Sequence, residues 1–410
     1  MKLSTKPKLI YNKNKETIDF CFYFPIKTDY KNIHYVRLLD YILSTTSNKY
    51  KDSSLFEKIK KQKLLINNSI YLDSNEETSF IVYLFTIPKE NIINDYNIDE
   101  TFEFAISLIT DPYIEKNKFN ENKFDYEKNY FVLRNKNIMN DPINKMNEEF
   151  YKIVDKNEYF GCSYIKSTKL LDDITAESLY EFYLKNIKEN ECLKYVYGNI
   201  NYKKLNQLFK KYYNYNYNIL NIDIKKYKVI PDSKCINITK KVSLEQSYIY
   251  LEYKVKDFKL EDKLYLKIIC NFLQGSSNDL LFKKLRTEKN IIYSFSLMKY
   301  LNSGIFIIRA GIDFKNKNEF INSVNEVFNK LCSLDFIKEC LNNLLEDLKY
   351  DLLREEDSEN YKLINIISND LEYDTIKDNF DEFKSCDINK IYELLKKIEL
   401  KNIVFFRSTK

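Results

Sequence analysis

The strongest constraint on the fold is an internal repeat. Residues 55–69 read LFEKIKKQKLLINNS and residues 281–295 read LFKKLRTEKNIIYSF, and they align without a gap at an offset of 226 residues in a chain of 410. Both segments begin with Leu-Phe, carry Lys at the fourth position and place a further Lys before an apolar pair. Self-similarity at this distance indicates that the chain contains two copies of one structural unit.

The surroundings of the two segments repeat in the same order. In each half an alternating strand and an apolar helix precede the repeat, and a second strand and long helical regions follow it. The predicted pairs are strands 18–24 and 249–255, helices 36–43 and 263–273, strands 79–86 and 304–312, and helical regions 99–110 with about 121–155 and 317–332 with 334–355. Each half then ends with a helix and a strand, and Thr175 is the predicted N-cap of that helix in the first half.

This order, β-α-α-β-β-α-α-α-β in both halves, predicts an α+β fold of two tandem homologous lobes. Each lobe is a mixed or antiparallel β-sheet packed with helices. The polar stretch rich in Asn, Tyr and Lys between the halves is the natural linker. We therefore predict a first lobe over 1–215, a linker over 216–234 and a second lobe over 235–410.

Composition excludes several classes of function. The 65 basic and 60 acidic side chains give a net charge of only +5, so we expect no nucleic-acid partner. No apolar run is long enough to cross a membrane, and the first residues lack the apolar stretch of a signal peptide, so we expect no membrane partner and a cytoplasmic location. The eight Cys residues form no C-x-x-C pair and predict reduced thiols.

The histidine content argues against a self-contained metallopeptidase. The chain has one histidine, His34, and neither H-E-x-x-H nor H-x-x-E-H occurs. A catalytic zinc site requires three protein ligands, commonly including His. A Ser–His–Asp triad is formally open, but no G-x-S-x-G motif accompanies it. We expect His34 to be a surface or helix-start residue rather than a ligand.

The duplicated α+β chain resembles the M16 zinc peptidases (pitrilysin/insulinase, mitochondrial-processing-peptidase-like). The resemblance rests on ITAESLYEFYLKNIKENECLKYVYGNI in the first half and FLQGSSNDLLFKKLRTEKNIIYSFS in the second. It is greatest to the short bacterial M16 paralogues associated with 5-aminopentanol modification of elongation factor P, at FDYEKNYFVLRNKNIMNDPINKM and at IELKNIVFF. It implies the LuxS/MPP-like metallohydrolase fold of that family over the whole chain.

The resemblance also implies that the zinc motif of the family, H-x-x-E-H, is degenerate here. In the matching stretch RLLDY, Arg37 and Tyr41 stand at the histidine positions and Asp40 at the glutamate position. The position of the third ligand falls near Arg134. Arginine is permanently protonated and repels Zn²⁺. An alignment that starts at His34 gives HYVRL and fails as well, so we expect no metal and no cofactor in this chain.

A second feature of the family is present. M16 enzymes bind substrate with an Arg and a Tyr seven residues apart in the second repeat, and Arg286 and Tyr293 match that pair. The equivalent residues of the first half are Lys60 and Asn67. An Arg can hold substrate carbonyls with two donors, and a Tyr hydroxyl can donate to an oxyanion. The alternative for R-x6-Y is a solvated Arg and a core Tyr, because the chain has 35 Tyr residues.

Three functions remain open at this stage. The first is a zinc-free M16 subunit that forms a heterodimer with a zinc-bearing M16 paralogue and contributes Arg286 and Tyr293 to a composite site for small peptides. The second is a non-catalytic module of M16 fold that binds peptides or serves as a scaffold. The third is a structural subunit like the M16-related core proteins of a respiratory complex. We favour the first, in which the chain alone has no activity.

Overall fold

The computed structural model describes residues 2–27, 29, 32–74, 78–138, 140–154, 171–213, 218–222, 235–275, 279–356, 358, 361–371 and 373–409. The chain divides into two units. Met1–Ile138 and Tyr164–Lys226 form the first, and Met139–Ser163 and Tyr227–Lys410 form the second. The predicted linker over 216–234 lies mostly outside the described residues. Among the described helices, none combines the length and the apolar character needed to span a membrane.

The first unit is built around a five-stranded sheet with strand order β2-β8-β3-β5-β4. Strand β2 runs parallel to β8, and the other neighbouring strands are antiparallel. The elements of the unit are β1 (Lys2–Ser4), β2 (Lys8–Tyr11), β3 (Thr17–Ile26), α1 (Asn32–Leu43), α2 (Ser53–Gln62), β4 (Asn67–Ser74), β5 (Ser79–Pro88), α3 (Ile98–Thr110), β6 (Ile114–Glu115), β7 (Lys118–Phe119), α4 (Glu121–Ile138), α6 (Ala176–Tyr183), β8 (Leu193–Gly198), α7 (Tyr202–Tyr212) and β9 (Ile219–Asn221).

The second unit repeats this topology with strand order β10-β14-β11-β13-β12, in which β10 and β14 are the parallel pair. This confirms the predicted fold class of two homologous α+β lobes. The elements are α5 (Pro142–Val154), β10 (Ile236–Val242), β11 (Ser247–Val255), α8 (Lys263–Leu273), α9 (Leu280–Phe282, continued by a π-helical turn over Lys283–Glu288), β12 (Ile292–Tyr300), β13 (Ile305–Ile312), α10 (Lys317–Leu331), α11 (Leu334–Glu356), α12 (Tyr361–Leu371), α13 (Ile376–Lys384), α14 (Ile388–Leu395) and β14 (Ile398–Ser408).

Alternation along the central strands determines where each core lies. In β3 the residues Ile18, Phe20, Phe22 and Phe24 are completely buried and join the helices of the first unit in one apolar cluster. The corresponding strand β11 contributes Ile249, Leu251, Tyr253 and Val255 to the core of the second unit. Successive strand residues point to opposite faces of a sheet, so one face of each sheet packs against helices. The predicted N-cap Thr175 is also observed, in a capping box with Ser178.

One helix departs from the predicted lobe boundary. The sequence predicted a single helical region over about 121–155 within the first lobe, but the chain forms α4 and then α5, and α5 belongs to the second unit. The break has a local cause, because Asp141 accepts hydrogen bonds from the backbone N–H groups of Ile143 and Asn144 and Pro142 is the first residue of α5. Proline is well suited to the first turn of a helix and to no interior position.

Helix α5 covers the face of the second sheet that the other helices leave open. Phe150 is completely buried and stacks on Tyr250 with ring centroids 4.7 Å apart. The Tyr250 hydroxyl donates to Asn147 Oδ1 over 2.8 Å, and Arg309 donates to the same oxygen over 3.0 Å. The hydroxyl oxygens of Tyr151 and Tyr300 lie 2.6 Å apart. A segment from the first half of the sequence is thus part of the second unit.

Candidate functional site

In the first unit, the structure brings together two of the three residues that stand at metal-ligand positions. Tyr41 lies on α1 and Arg134 lies on α4, and Arg134 Nη1 donates a hydrogen bond to the Tyr41 hydroxyl oxygen over 2.6 Å. The Tyr41 ring also makes an edge contact with Tyr130, with centroids 5.8 Å apart. The two side chains, 93 residues apart in the chain, therefore converge where the resemblance expects metal ligands to converge.

Arg37, at the other ligand position, adds a second positive charge to this region. It lies one turn before Tyr41 on α1, and its Cζ is 5.9 Å from the centroid of Phe131 on α4. Phe131 is also 6.2 Å from the Tyr41 ring. Arg37 and Tyr41 thus lie beside one buried aromatic ring, and Arg134 is bonded to Tyr41. Two guanidinium groups and a phenol do not match the donors that Zn²⁺ takes.

Asp40, at the glutamate position of the motif, points to the backbone of the first sheet. Its carboxylate accepts the N–H of Ile70 on β4 over 2.7 Å and lies 3.4 Å from the Ser44 hydroxyl. Burial raises the pKa of Asp40, and the hydrogen bonds from Ile70 and Ser44 oppose that shift. The Asp40 carboxylate therefore links α1 to the edge strand β4 through a hydrogen bond.

His34 is the helix-start residue of the two alternatives that the sequence predicted. It does lie at the start of α1, but its side chain is only 1% exposed, so it is not a surface residue. Its ring is 5.8 Å from that of Phe131, and within the described residues neither ring nitrogen has a hydrogen-bond partner. Burial, with a smaller contribution from the Arg37 charge, lowers the pKa of His34 to about 4. The imidazole is therefore neutral at physiological pH.

A metal site fails on the chemistry of these donors. Over the part of the chain that the structure describes, no group of three or more His, Cys, Asp or Glu side chains lies close enough to hold a metal ion. The positions matched to the zinc motif carry permanent positive charge at Arg37 and Arg134, and Tyr41 accepts a hydrogen bond from Arg134. These residues do not fit a zinc ion.

In the second unit, the predicted Arg and Tyr lie side by side on the protein surface. Arg286 is exposed and belongs to the π-helical turn that follows α9, while Tyr293 is 61% exposed on strand β12. Arg286 Nη1 donates to the carbonyl oxygen of Ile292 over 2.6 Å, which ties the guanidinium to the residue next to Tyr293. The exposed ring excludes the alternative of a core tyrosine.

Sequence reasoning missed a third polar residue beside this pair. Asp313 follows strand β13 directly and lies close enough to Tyr293 to act on the pKa of its phenol. Asp313 raises the pKa of the Tyr293 phenol, and the nearby Arg286 charge lowers that pKa by a smaller amount. No motif marked Asp313, because its neighbourhood to Tyr293 depends on the pairing of two strands.

At the matched positions of the first unit, the Arg and Tyr are replaced by other residues. The matching residues are Lys60 on α2 and Asn67 at the start of β4. The charge of Lys60 acts on Asp40, whose pKa it lowers slightly. The pairing of an exposed guanidinium with an exposed phenol therefore occurs at the matched positions of the second unit and is replaced at those of the first.

Comparisons with known proteins find similarity to M16 peptidases. Residues 173–348 match the family model described as Peptidase M16 inactive domain. A curated relative from Bacillus subtilis (strain 168), "Probable inactive metalloprotease YmfF", is 21% identical over 271 residues, which cover 65% of this chain and 63% of the relative. The chain thus spans a little under two thirds of that relative's length. A second protein of the same strain, "Uncharacterized zinc protease YmxG", is 21% identical over 306 residues, 73% of this chain and 74% of the relative.

A solved structure shows the same fold over the whole chain. The peptidase M16 inactive domain from Pseudomonas fluorescens superposes with a TM-score of 0.69 at 12% sequence identity, and the match covers 100% of this chain and 98% of that one. At this identity the likeness establishes the fold alone. The two sheets and their helices therefore have the same fold as that domain.

Proposed function

We propose that this chain is a catalytically silent M16-type subunit that forms a heterodimer with a zinc-bearing M16 paralogue. In this proposal it supplies Arg286 and Tyr293 to a composite site that cleaves small peptides. The chain itself holds no metal or other cofactor and has no peptidase activity alone. Zinc, with the water it activates for attack on a peptide carbonyl, belongs to the partner.

One observation carries the proposal: the first unit has basic and phenolic groups where zinc ligands are expected, and the second unit has the Arg and Tyr expected to bind substrate. At the first-unit positions matched to zinc ligands, Arg134 and Tyr41 are joined by a hydrogen bond of 2.6 Å and Arg37 adds a second charge. In the second unit, Arg286 and the exposed Tyr293 remain available to a ligand. Loss of the metal donors together with retention of substrate-binding groups is the pattern expected of one half of a shared site.

The surroundings of Arg286 and Tyr293 suit a peptide. Tyr293 lies on β12, which is the terminal strand of its sheet and pairs with β13 alone among the described strands. An extended peptide can add to such an edge by backbone hydrogen bonds. Arg286 keeps further N–H groups beyond the one donated to Ile292, because a guanidinium has five donors.

The choice of partner follows from what this chain lacks. A homodimer would contain no zinc ligands of the M16 type, so the complementary subunit must carry H-x-x-E-H. The similarity to two proteins of one Bacillus strain, one named inactive and the other named a zinc protease, supports the coexistence of both kinds. A cytoplasmic location and a link to modification of elongation factor P are parts of the proposal.

Reconstitution tests the proposal. We expect the purified chain to contain no stoichiometric zinc by mass spectrometry and to leave a library of fluorogenic peptides intact. Co-purification with an H-x-x-E-H paralogue from the same genome should give a complex that cleaves peptides. Failure of the two chains to associate, or equal activity of the paralogue with and without this chain, would contradict it.

Matched variants assign the activity to the second unit. Arg286→Ala and Tyr293→Phe should each lower kcat/KM of the complex at least tenfold, about 1.4 kcal/mol. Tyr350→Phe and Arg354→Ala are the controls, because these residues are similarly exposed on α11 at 66% and 73% and lie outside the site. Wild-type rates in both site variants would favour a peptide-binding or scaffold module without a catalytic contribution.

A further inference from the structure

The first unit contains a cavity of about 600 Å³ beside one end of its sheet. Its walls come from the last residues of α3, from the segment 187–191 that leads into β8, and from β8 itself. Thr5 and Asn218, which follow β1 and precede β9, also line it. All of these residues belong to the first unit. Cavities of roughly 300–1,000 Å³ are the size that small-molecule ligands occupy.

A lysine side chain, Lys194, is buried in the wall of this cavity. Lys194 is 6% exposed and lies on β8 two residues before Val196, so it points to the same face of the sheet as that core residue. The second unit has an apolar residue at the matching place. Lys194 lies opposite Phe22 on β3, whereas Leu400 lies opposite Tyr253 on β11. The buried charge is therefore a feature of the first unit and not of the shared fold.

The contacts of Lys194 do not balance its charge. Its Nζ donates to the carbonyl oxygens of Thr5 over 3.1 Å and Cys192 over 3.2 Å, and it lies 5.4 Å from the centroid of the Tyr213 ring. Among the described residues no carboxylate forms an ion pair with it. An ammonium has three N–H donors, and the two carbonyls occupy two of them. Burial of an unpaired charge is costly, so this position points to an anion that binds at Lys194.

The two glutamates of the wall are placed differently from Lys194. Glu191 accepts a hydrogen bond from the side-chain amide of Asn218, and Glu189 is exposed to solvent. Asn218 is itself fixed, because its backbone N–H donates to Thr5 Oγ1 over 2.8 Å and its carbonyl accepts the N–H of Thr5 over 3.0 Å. The negative charges of the wall are thus hydrated or hydrogen-bonded, and the buried charge is positive.

The other buried residues of the wall are apolar or neutral. Phe24, Ile109 and Ile187 are at most 3% exposed. Burial raises the pKa of the Cys192 thiol and of the Tyr213 phenol, so neither group is an anion at physiological pH. A largely apolar cavity with one well-placed charged group is typical of a site for a small molecule.

We propose that this cavity binds a small molecule that has one carboxylate and an apolar body. The carboxylate accepts a hydrogen bond from the Lys194 ammonium, and the apolar body lies against Phe24, Ile109 and Ile187. One ammonium balances one negative charge, so a monoanion is favoured over a phosphate. Hydrogen bonds between an ammonium and a carboxylate are stronger than those between neutral groups. The proposal concerns the first unit and does not depend on the proposed function.

The first experiment compares three ligands of equal chain length on the full wild-type chain by isothermal titration calorimetry. Octanoate should bind at least about tenfold more tightly than 1-octanol, because a hydrogen bond to a charged group adds to the burial of the same apolar chain. Octylammonium should bind more weakly than 1-octanol, because its charge repels Lys194. Equal affinity for octanoate and 1-octanol, or no binding of octanoate, would overturn the proposal.

A variant assigns the selectivity to one side chain. Lys194→Met removes the charge and keeps a side chain of similar length. It should lower the affinity for octanoate at least about tenfold and leave the affinity for 1-octanol within about threefold of wild type. Lys185→Met is the matched control, since Lys185 is an exposed lysine of the π-helical turn over Leu184–Lys188 and is not part of the wall. Unchanged octanoate affinity in Lys194→Met would contradict the proposed role of Lys194.

NMR of chain labelled at the isoleucine δ1 methyl groups locates the ligand. The signals of Ile109 and Ile187, identified by Ile→Val variants, should shift when octanoate is added. Ile337 is the control, because it is completely buried in the core of the second unit, and its signal should stay in place. Octanoate binding that leaves both Ile109 and Ile187 unshifted would place the ligand elsewhere and refute the proposal.

Lys194 also links β1 to β8 through the Thr5 carbonyl, so Lys194→Met can lower the melting temperature. Octanoate should raise the melting temperature of wild type and should do so much less in the variant, because only a ligand that binds the folded state stabilises it. Equal loss of octanoate and 1-octanol affinity in the variant would assign Lys194 a structural role and end the proposal. If the variant does not fold, the selectivity of wild type for octanoate over 1-octanol and the methyl shifts decide.

Discussion

Acidification should destabilise the protein through its single histidine. His34 is 1% exposed, and its pKa in the folded chain is about 4 against an ordinary value of 6.5. Between these values the unfolded chain binds more protons than the folded chain, so stability falls as the pH decreases from 6.5 towards 4 and does not change through this group above 6.5. From about pH 7 to about pH 5 the loss is about 2 kcal/mol.

Urea unfolding of wild type, His34→Leu and His34→Gln at both pH values measures this contribution. Carboxyl groups titrate in the same range, so the relevant quantity is the difference between wild type and variant at each pH. His34→Leu should be more stable than wild type by about 1–3 kcal/mol at neutral pH, because both imidazole nitrogens are buried without a partner among the described residues. The difference in free energy of unfolding between His34→Leu and wild type should increase by about 2 kcal/mol at pH 5.

His34→Gln separates the two effects, since its amide is polar and does not titrate. His34→Gln should remove the loss of stability at acid pH. At neutral pH its gain in stability over wild type should be smaller than that of His34→Leu. Because the chain has only one histidine, NMR of the selectively labelled side chain gives its titration directly. A midpoint near 6.5, or an equal acid loss in wild type and both variants, would refute the reasoning.

Three further predictions concern the contacts described above. Phe150→Ala should lower the free energy of unfolding by about 3–5 kcal/mol, because it removes a fully buried ring stacked on Tyr250. Urea unfolding measures this change, with the exposed Tyr350→Ala as the control. A change below about 1 kcal/mol would contradict the docking of α5. Tyr41→Phe should lower the melting temperature slightly, by the equivalent of about 0.5–1 kcal/mol for an exposed hydrogen bond, and an unchanged value in calorimetry would contradict that bond. Added Zn²⁺ should leave the melting temperature unchanged, since ligand binding to the folded state would raise it, and a concentration-dependent increase would show a metal site.

Most of the fold could be predicted from local sequence patterns. Alternation over residues 18–24 and 249–255 identified the central strands because side-chain period is a property of a few neighbouring residues. The same holds for the helix over Lys263–Leu273, whose predicted limits are those observed. The parallel strands β2 and β10 were not predicted, because β2 has four residues and β10 is mostly polar and exposed, so neither has a distinct pattern.

The candidate site could be predicted from the sequence only in part. Arg37, Tyr41 and Arg134 could be placed by resemblance, but the hydrogen bond between Tyr41 and Arg134 depends on how α1 packs against α4. Whether Arg286 and Tyr293 bind substrate stays a prediction. Asp313 was not predicted, because the pairing of β12 with β13, and not distance along the sequence, brings it near Tyr293.

By itself the sequence determined that the chain is a duplicated α+β protein, and it placed Arg37, Tyr41 and Arg134 at the positions where the resemblance expects zinc ligands. Both conclusions depend on residue type and local order, which need no knowledge of distant contacts. Only the tertiary structure decided that α5 joins the second unit and that Tyr293 lies in a bulge. An amphipathic helix requires an apolar surface but does not specify which sheet provides it, and a bulge is a mismatch between two strands that neither strand encodes alone.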